Sequence, residues 1–165
     1  MVEHQAPADH HALDAGAVFA EHELIRNVLM ASANTEYSAE SLTERFDQFY
    51  AESSEIIPAA GDALSGGDLI AFGELVARSQ RGAERGLKNQ IPETITLVRE
   101  AREHGAVAAS AFGAGFGGSV WALVDSSSAE TFRGSWADAY HEAFPAQADR
   151  SVFFVTRAGP PATSL

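Results

Sequence analysis

Ser110-Ala-Phe-Gly-Ala-Gly-Phe-Gly-Gly-Ser119, running directly into Val120-Trp-Ala-Leu-Val124, is the stretch on which the fold turns. Four of its first ten residues are glycine, at 113, 115, 117 and 118. Glycine is costly to order, so this density implies backbone at positive φ or backbone that something else approaches closely. The spacing Gly113-x-Gly115-x-x-Gly118 matches the dinucleotide-binding fingerprint, but that fingerprint must open a helix. Here the glycines lead into Ser119–Val124, which alternates as a strand does, so the fingerprint reading fails on context. What remains is a strand, a glycine loop and a second strand, with several amides free to form a concave anion site.

Working outward, Gly105-Ala-Val-Ala-Ala-Ser-Ala-Phe-Gly-Ala-Gly-Phe-Gly-Gly-Ser119 resembles the third signature of the GHMP kinases. The Gly-Ala-Gly-Phe-Gly-Gly core before an apolar strand is most similar to the galactokinase branch of that family. Leu87-Lys-Asn-Gln-Ile-Pro-Glu-Thr94, leading into a helix, resembles the segment preceding that signature. A helix at 128–143 and Val152-Phe-Phe-Val155, ending in Arg157-Ala-Gly-Pro160, complete the same order. The resemblance covers roughly residues 40–160. Ser119 is a departure, since many galactokinases carry cysteine there.

The family's sugar motif, Gly-Arg-x-Asn-x-Ile-Gly-Glu-His, and its phosphate loop, Pro-x-x-x-Gly-Leu-x-Ser-Ser, do not occur in these 165 residues. The serines at 53–54 and 126–128 lack the preceding Gly-Leu and read as helix interior and helix cap. The family's catalytic Asp and its basic partner belong to the N-terminal half. The resemblance therefore implies half an enzyme, with no catalytic residue in this chain.

A length of 165 residues fits one domain with a proper core. Hydrophobic content of 45% and charged content of 21% are those of an ordinary globular chain. No apolar run approaches the roughly 18 residues of a membrane helix, and no signal-peptide pattern opens the chain. Without cysteine there is neither a disulfide framework nor a thiolate metal site, which permits a cytoplasmic location. A net charge of −12 argues against nucleic acid as a partner.

Residues 1–14, with His4, His10 and His11, read as a flexible lead-in; adjacent histidines diverge and no third ligand is spaced nearby. Residues 15–160 read as a single domain. Ala17, Leu24, Ile25, Val28 and Leu29 recur at helical spacing over about 16–32. Ser41-x-x-Glu44 forms a capping-box pattern, with Ser38 an alternative cap. Leu42, Phe46, Phe49, Tyr50, Ser53 and Ile57 mark one face of a core helix ending near Pro58. Gly66-Gly67 breaks the chain, Asp68 caps the next helix, and Leu69, Phe72 and Val76 line its inner face. Pro92 occupies the first turn of another helix that stops at Gly105.

Beyond Gly105 the period switches. Strands are expected over 106–112, 119–125 and 151–157, with a helix between the last two opened by Ser127-x-x-Glu130 and lined by Phe132, Trp136, Tyr140 and Phe144. The fold class is α+β: a helical N-terminal half and a small, mostly antiparallel sheet covered by helices. The resemblance implies a ferredoxin-like arrangement.

Candidate site residues follow from the loop. As a plain hairpin, Gly113–Gly118 would need one or two positive-φ glycines rather than four, and would expose Phe116. The resemblance implies instead that Gly113, Ala114, Gly115, Phe116, Gly117, Gly118 and Ser119 lie against the phosphate loop of an N-terminal domain. Lys88, the sole lysine, and Ser110 are secondary candidates for phosphate contact. Ser110 and Ser119 could equally satisfy backbone. The carboxylate pairs Glu100/Glu103 and Glu21/Glu23 read as solvated surface, and His104 as a cation at a helix C-terminus.

Two functions stand open. By resemblance the chain is the C-terminal domain of a galactokinase-like kinase that phosphorylates a sugar anomeric hydroxyl. ATP and Mg²⁺ are then cofactors of the complete enzyme, and an N-terminal GHMP kinase domain, on the same or a separate chain, is the partner. The alternative is a stand-alone, non-catalytic module that binds a small ligand or a partner kinase.

Overall fold

The computed structural model describes residues 15–159, with side chains from Ala20 onward. The histidines at 4, 10 and 11, the Ala17 side chain and Pro160-Pro161 lie outside the described residues. Helix α1 (Ala15–Ala31) packs on α2 (Ala39–Ala51), where the His22 ring stacks on Phe46 and meets Tyr50 at 4.2 Å between centroids. Of the two caps open to α2, Ser38 serves: its side chain accepts the Ser41 amide at 3.1 Å.

Pro58 does not end the helical run. The chain passes through a π-turn at Glu52–Ile56 directly into α3 (Ile57–Gly66), with Pro58 in its first turn. A proline lacks the amide that would continue the ladder and crowds the preceding turn; the wider i→i+5 turn just before it relieves that crowding. The same turn advances the helix by less per residue, so the expected stripe drifts. At the end of the turn Ile56 is buried, and just past it Ile57 is exposed; Phe49, ahead of the turn, is exposed as well, so the stripe is not core along its whole length.

Gly67 ends α3 with φ +73°, and Asp68 caps α4 (Leu69–Gly82) by accepting the Ala71 amide at 2.9 Å. The inner face of α4 includes Phe72 and Val76, whereas Leu69 is exposed. A second π-turn, Ala83–Leu87, ends at Lys88 in the left-handed conformation, φ +53°. Helix α5 (Pro92–Glu103) then runs to His104, and Gly105 (φ +96°) turns the chain into the sheet.

Strand β1 (Ala108–Phe112) pairs antiparallel with β2 (Ser119–Leu123), in the register Ala108↔Leu123 to Phe112↔Ser119. Both are shorter than expected. At one end of the ladder the Arg102 guanidinium bonds the carbonyls of Ala106 and Val107. Ala108 and Ala109 are both buried, so β1 is enclosed on both faces, which explains its run of small residues.

Helix α6 (Ala129–Ala143) follows, but the capping box expected at Ser127 does not form. Asp125 instead accepts the Ser127 amide at 2.8 Å and the Ser127 hydroxyl, an Asx-turn that holds its carboxyl below the usual carboxylate range. Trp136 donates its indole N–H to the Leu97 carbonyl at 2.9 Å, locking α6 to α5. Val98, Ala101, Ala106, Ala109 and Trp136 form the core between these helices and the sheet.

The third expected strand is a correction. After a 3-10 turn at Pro145–Arg150, residues 151–159 join no ladder, and the described sheet has two strands. Phe153 does pack, edge-on to Trp136 at 5.2 Å, while Val152 and Phe154 on either side are exposed, so side chains face opposite ways although the backbone goes unpaired. The architecture is α+β with a small antiparallel sheet covered by helices.

Candidate functional site

The loop between β1 and β2 departs from any two-residue hairpin. Gly113, Gly115, Phe116, Gly117 and Gly118 all have positive φ, from +61° at Phe116 to +120° at Gly117. An aromatic residue there is uncommon and costs roughly 1 kcal/mol or more unless its surroundings hold it.

What holds it is Asn89. Its backbone carbonyl accepts the Phe116 amide at 2.5 Å, and its side-chain amide donates to the Ala114 carbonyl at 3.0 Å. A Cβ on Gly115 would run into the Asn89 carbonyl oxygen and stand 2.7 Å from the side-chain amide nitrogen. Gly115 is therefore required twice, by its φ of +90° and by this close approach. Among the described residues, the Phe116 amide alone of the six at 113–118 has a hydrogen-bond partner. The others are available to an anion or to a second surface. The Phe116 ring is 71% exposed.

Asn89 is itself fixed. The Gln90 side chain donates to its Oδ1 at 3.0 Å, and Thr94, buried at the start of α5, donates its hydroxyl to Gln90 Oε1 at 3.0 Å. The clamp thus runs from α5 through Gln90 and Asn89 to the loop.

Ser110 lies one strand away, its hydroxyl committed to Gln80 Oε1 at 3.0 Å. The same oxygen accepts the Ala111 amide at 2.9 Å, and Gln80 donates to Glu84 at 3.0 Å. Gln80, 3% exposed, so covers the outer edge of β1 from α4. Lys88 flanks the clamp but pairs with Glu44 at 2.7 Å. That hydrogen bond, and then the charge of Glu44, raise the Lys88 ammonium above its ordinary value. Ser119 is exposed at the exit of the loop, where β2 begins.

The structure brings 113–119 together with the 88–94 segment, and leaves Ser110 and Lys88 engaged with Gln80 and Glu44. Sequence reading missed Asn89, Gln90 and Gln80 as site-forming residues. The one signal for the first two was their place in the quoted Leu87–Thr94 segment. Among the described residues, no group of three or more His, Asp or Glu side chains is placed to hold a metal, and no helix is long and apolar enough to cross a membrane.

The family model described as "GHMP kinases C terminal" matches residues 57–142, just over half of the chain. A galactokinase of Thermococcus kodakarensis is 36% identical over 94 residues, covering 57% of this chain and 27% of its own length. A galactokinase of Roseiflexus sp. (strain RS-1) is 35% identical over 105 residues, covering 63% of this chain and 27% of its own. The chain thus spans about a quarter of the length of these relatives. Among solved structures, Lactococcus lactis galactokinase complexed with galactose superposes with a TM-score of 0.62 at 24% identity, over 85% of this chain and 40% of that one, which is a likeness of fold. Because that family model matches just over half of the chain, the chain belongs to the GHMP kinase family, of which it carries the C-terminal domain.

Proposed function

We propose that residues 15–160 act as one C-terminal domain of a galactokinase-like sugar kinase, and that the clamped loop Gly113–Ser119 supports the nucleotide-phosphate site of an N-terminal kinase domain. In that reaction a sugar anomeric oxygen attacks the γ-phosphorus of ATP, ADP leaves, and the hydroxyl proton passes to a base on the N-terminal domain. Phosphoryl transfer depends chiefly on positioning and electrostatic stabilisation, so a domain that supplies no base can still be essential.

The observation that carries this reading is the Asn89 clamp. It holds a strained loop in one conformation with five unpartnered amides and an exposed Phe116, an arrangement a chain reversal does not need. Such preorganised donors suit a surface that must meet a phosphate-binding loop without rearranging. Neither Lys88 nor Ser110 is needed for this role in their present pairings; displacement of Lys88 from Glu44 by a phosphate would add a contact.

The test is reconstitution. The 165-residue chain, assayed with ATP, Mg²⁺ and a panel of sugars including galactose, should show no turnover. Mixed or fused with the N-terminal portion of the Thermococcus kodakarensis galactokinase, it should restore turnover, and Gly115→Val should abolish the gain. Turnover by the chain alone, or reconstitution indifferent to Gly115→Val, would sink the proposal. The non-catalytic module would show as ligand binding with no reconstitution.

A further inference from the structure

Asn89 reaches the glycine loop because the chain ahead of it is wound one residue wide. Helix α4 runs without a break into the π-turn Ala83–Leu87, which the Lys88 amide closes on the Ala83 carbonyl. The same carbonyl accepts the Asn89 amide at 3.4 Å, so both residues hang from the first residue of the turn. Closure after four residues instead of five would put Lys88 and Asn89 out of step by one position. In an α-helix one position is about 100° around the axis and about 1.5 Å along it. Neither hydrogen bond from Asn89 to the loop survives a shift of that size. The wide turn is therefore what aims Asn89 at Phe116 and Ala114.

Two contacts hold the turn. On one side it lies against α2. A Cβ on Gly86 would stand 3.2 Å from the Glu44 carbonyl oxygen and 3.6 Å from the Gln48 Cβ, so α2 and the turn meet at backbone distance. Gly82, one residue ahead of the turn, is closed off by the Gln48 side-chain amide. On the other side Glu84 accepts the Gln80 side-chain amide at 3.0 Å, and Gln80 in turn holds the Ala111 amide and the Ser110 hydroxyl. The turn thus reaches the glycine loop twice: at its tip through Asn89, and at its entry from β1 through Gln80. Single π-turns are rare and concentrate at functional sites.

We infer that the π-turn Ala83–Leu87, seated on α2 through Gly86, positions the glycine loop, and that Gly86 and Glu84 are positioning residues of the kinase site, acting through Asn89 and Gln80. The consequence for phosphoryl transfer rests on the proposed nucleotide-phosphate role of the loop; the coupling of α2 to the loop does not. The Lys88–Glu44 pair spans the same contact at 2.7 Å, with the lysine well exposed. An exposed ion pair adds little, so the seat is the backbone contact at Gly86.

The experiment follows amide exchange by NMR in the full 165-residue chain. Of the six amides at 113–118 only that of Phe116 has a partner among the described residues, so its exchange reports the Asn89 clamp. Gly86→Val drives a branched side chain against the Glu44 carbonyl and should speed Phe116 exchange tenfold or more, while amides of α6 such as Tyr140 keep their rates. Gly86→Ala should give an intermediate rate, and serves as the test should the valine variant not fold. Gly61→Val makes the same change in α3, where a Cβ meets nothing within 4 Å, and should leave the Phe116 rate as it is. Glu44→Gln removes the charge pair alone and should change it less than twofold. An unchanged Phe116 rate in the folded Gly86 variants overturns the inference, as does an equal acceleration in Gly61→Val or Glu44→Gln. In the fusion with the N-terminal portion of the Thermococcus kodakarensis galactokinase, Gly86→Ala should lower kcat several-fold and leave the sugar KM unchanged. An unchanged kcat beside a faster Phe116 amide also overturns it. If the unsubstituted fusion shows no turnover, the kinase reading fails, and the exchange rates still decide whether α2 positions the loop.

Discussion

The backbone carbonyl of Asn89 accepts the amide of Phe116 at 2.5 Å, joining the lead-in of α5 to the tip of the glycine loop across 27 positions of sequence. The side chain of the same residue takes the Ala114 carbonyl, so one asparagine holds the loop on both sides of Gly115.

Gly115→Ala places a Cβ against this clamp at a φ of +90°. We expect the isolated chain to lose roughly 1–3 kcal/mol, the scale of a non-glycine residue forced into such backbone. The reconstituted kinase should lose turnover by tenfold or more, because displaced amides no longer position the nucleotide loop. Denaturant melts of the chain beside kinetics of the assembled enzyme separate the two. Asn89→Ala should fall short of additivity with Gly115→Ala, since both disturb one contact. A collapsed melt with unchanged activity per folded molecule would make the loop structural only.

Gln80→Ala should cost about 1–3 kcal/mol in urea or guanidinium unfolding, because it leaves the half-buried Ala111 amide without its acceptor, while the Ser110 hydroxyl keeps only the Ala111 carbonyl at 3.3 Å. Ser110→Ala alone should cost less, as Gln80 keeps the Ala111 amide. Equal losses from the two variants would contradict this division.

Local signals were readable where one residue decides one turn. Asp68 caps α4, Pro92 opens α5 and Gly105 closes it, as their chemistry demands. The glycine cluster likewise marked a loop of positive φ. What the linear pattern could not carry was pairing at a distance. Nothing about Gln80 in a helix announces that its amide covers a strand edge 31 positions on. Asn89 looked like one polar residue of a linker because its role depends on where the loop tip arrives. Val152–Val155 is a continuous apolar run that reads as a strand, yet a strand needs a neighbour, and none of the described residues supplies one. The π-turn before Pro58 is the remaining case: proline argues for a helix end, and the chain widens one turn instead.

Tyr140 sets an alkaline limit on stability. Burial, and then the charge of Glu93, raise its phenol above the ordinary value. A raised folded-state value means the stabilisation is complete below the unfolded value, about 10, and is lost as pH rises through the folded one, since the unfolded phenol ionises first. Unfolding midpoints should therefore fall on raising the pH beyond about 10, and Tyr140→Phe should flatten that fall. An unchanged alkaline slope in the variant would remove Tyr140 as the cause.

Phe116 gives the sharpest separation between a loop that merely turns and one that meets a partner. Its ring is 71% exposed, so it contributes little packing to the chain itself, while its backbone sits at φ +61°. Phe116→Ala should leave the melting midpoint of the isolated chain almost unchanged, because little buried apolar area is lost. Phe116→Gly should raise it slightly, by relieving the left-handed backbone. In the reconstituted kinase both variants should weaken association or turnover several-fold, because the aromatic ring is then the group pressed into the facing surface. Measuring the midpoint, the concentration needed for half-maximal reconstitution and the turnover for all three proteins distinguishes the cases. If Phe116→Gly stabilises the chain and the assembled enzyme works undiminished, the exposed ring meets nothing, and the clamped loop is not an interdomain surface.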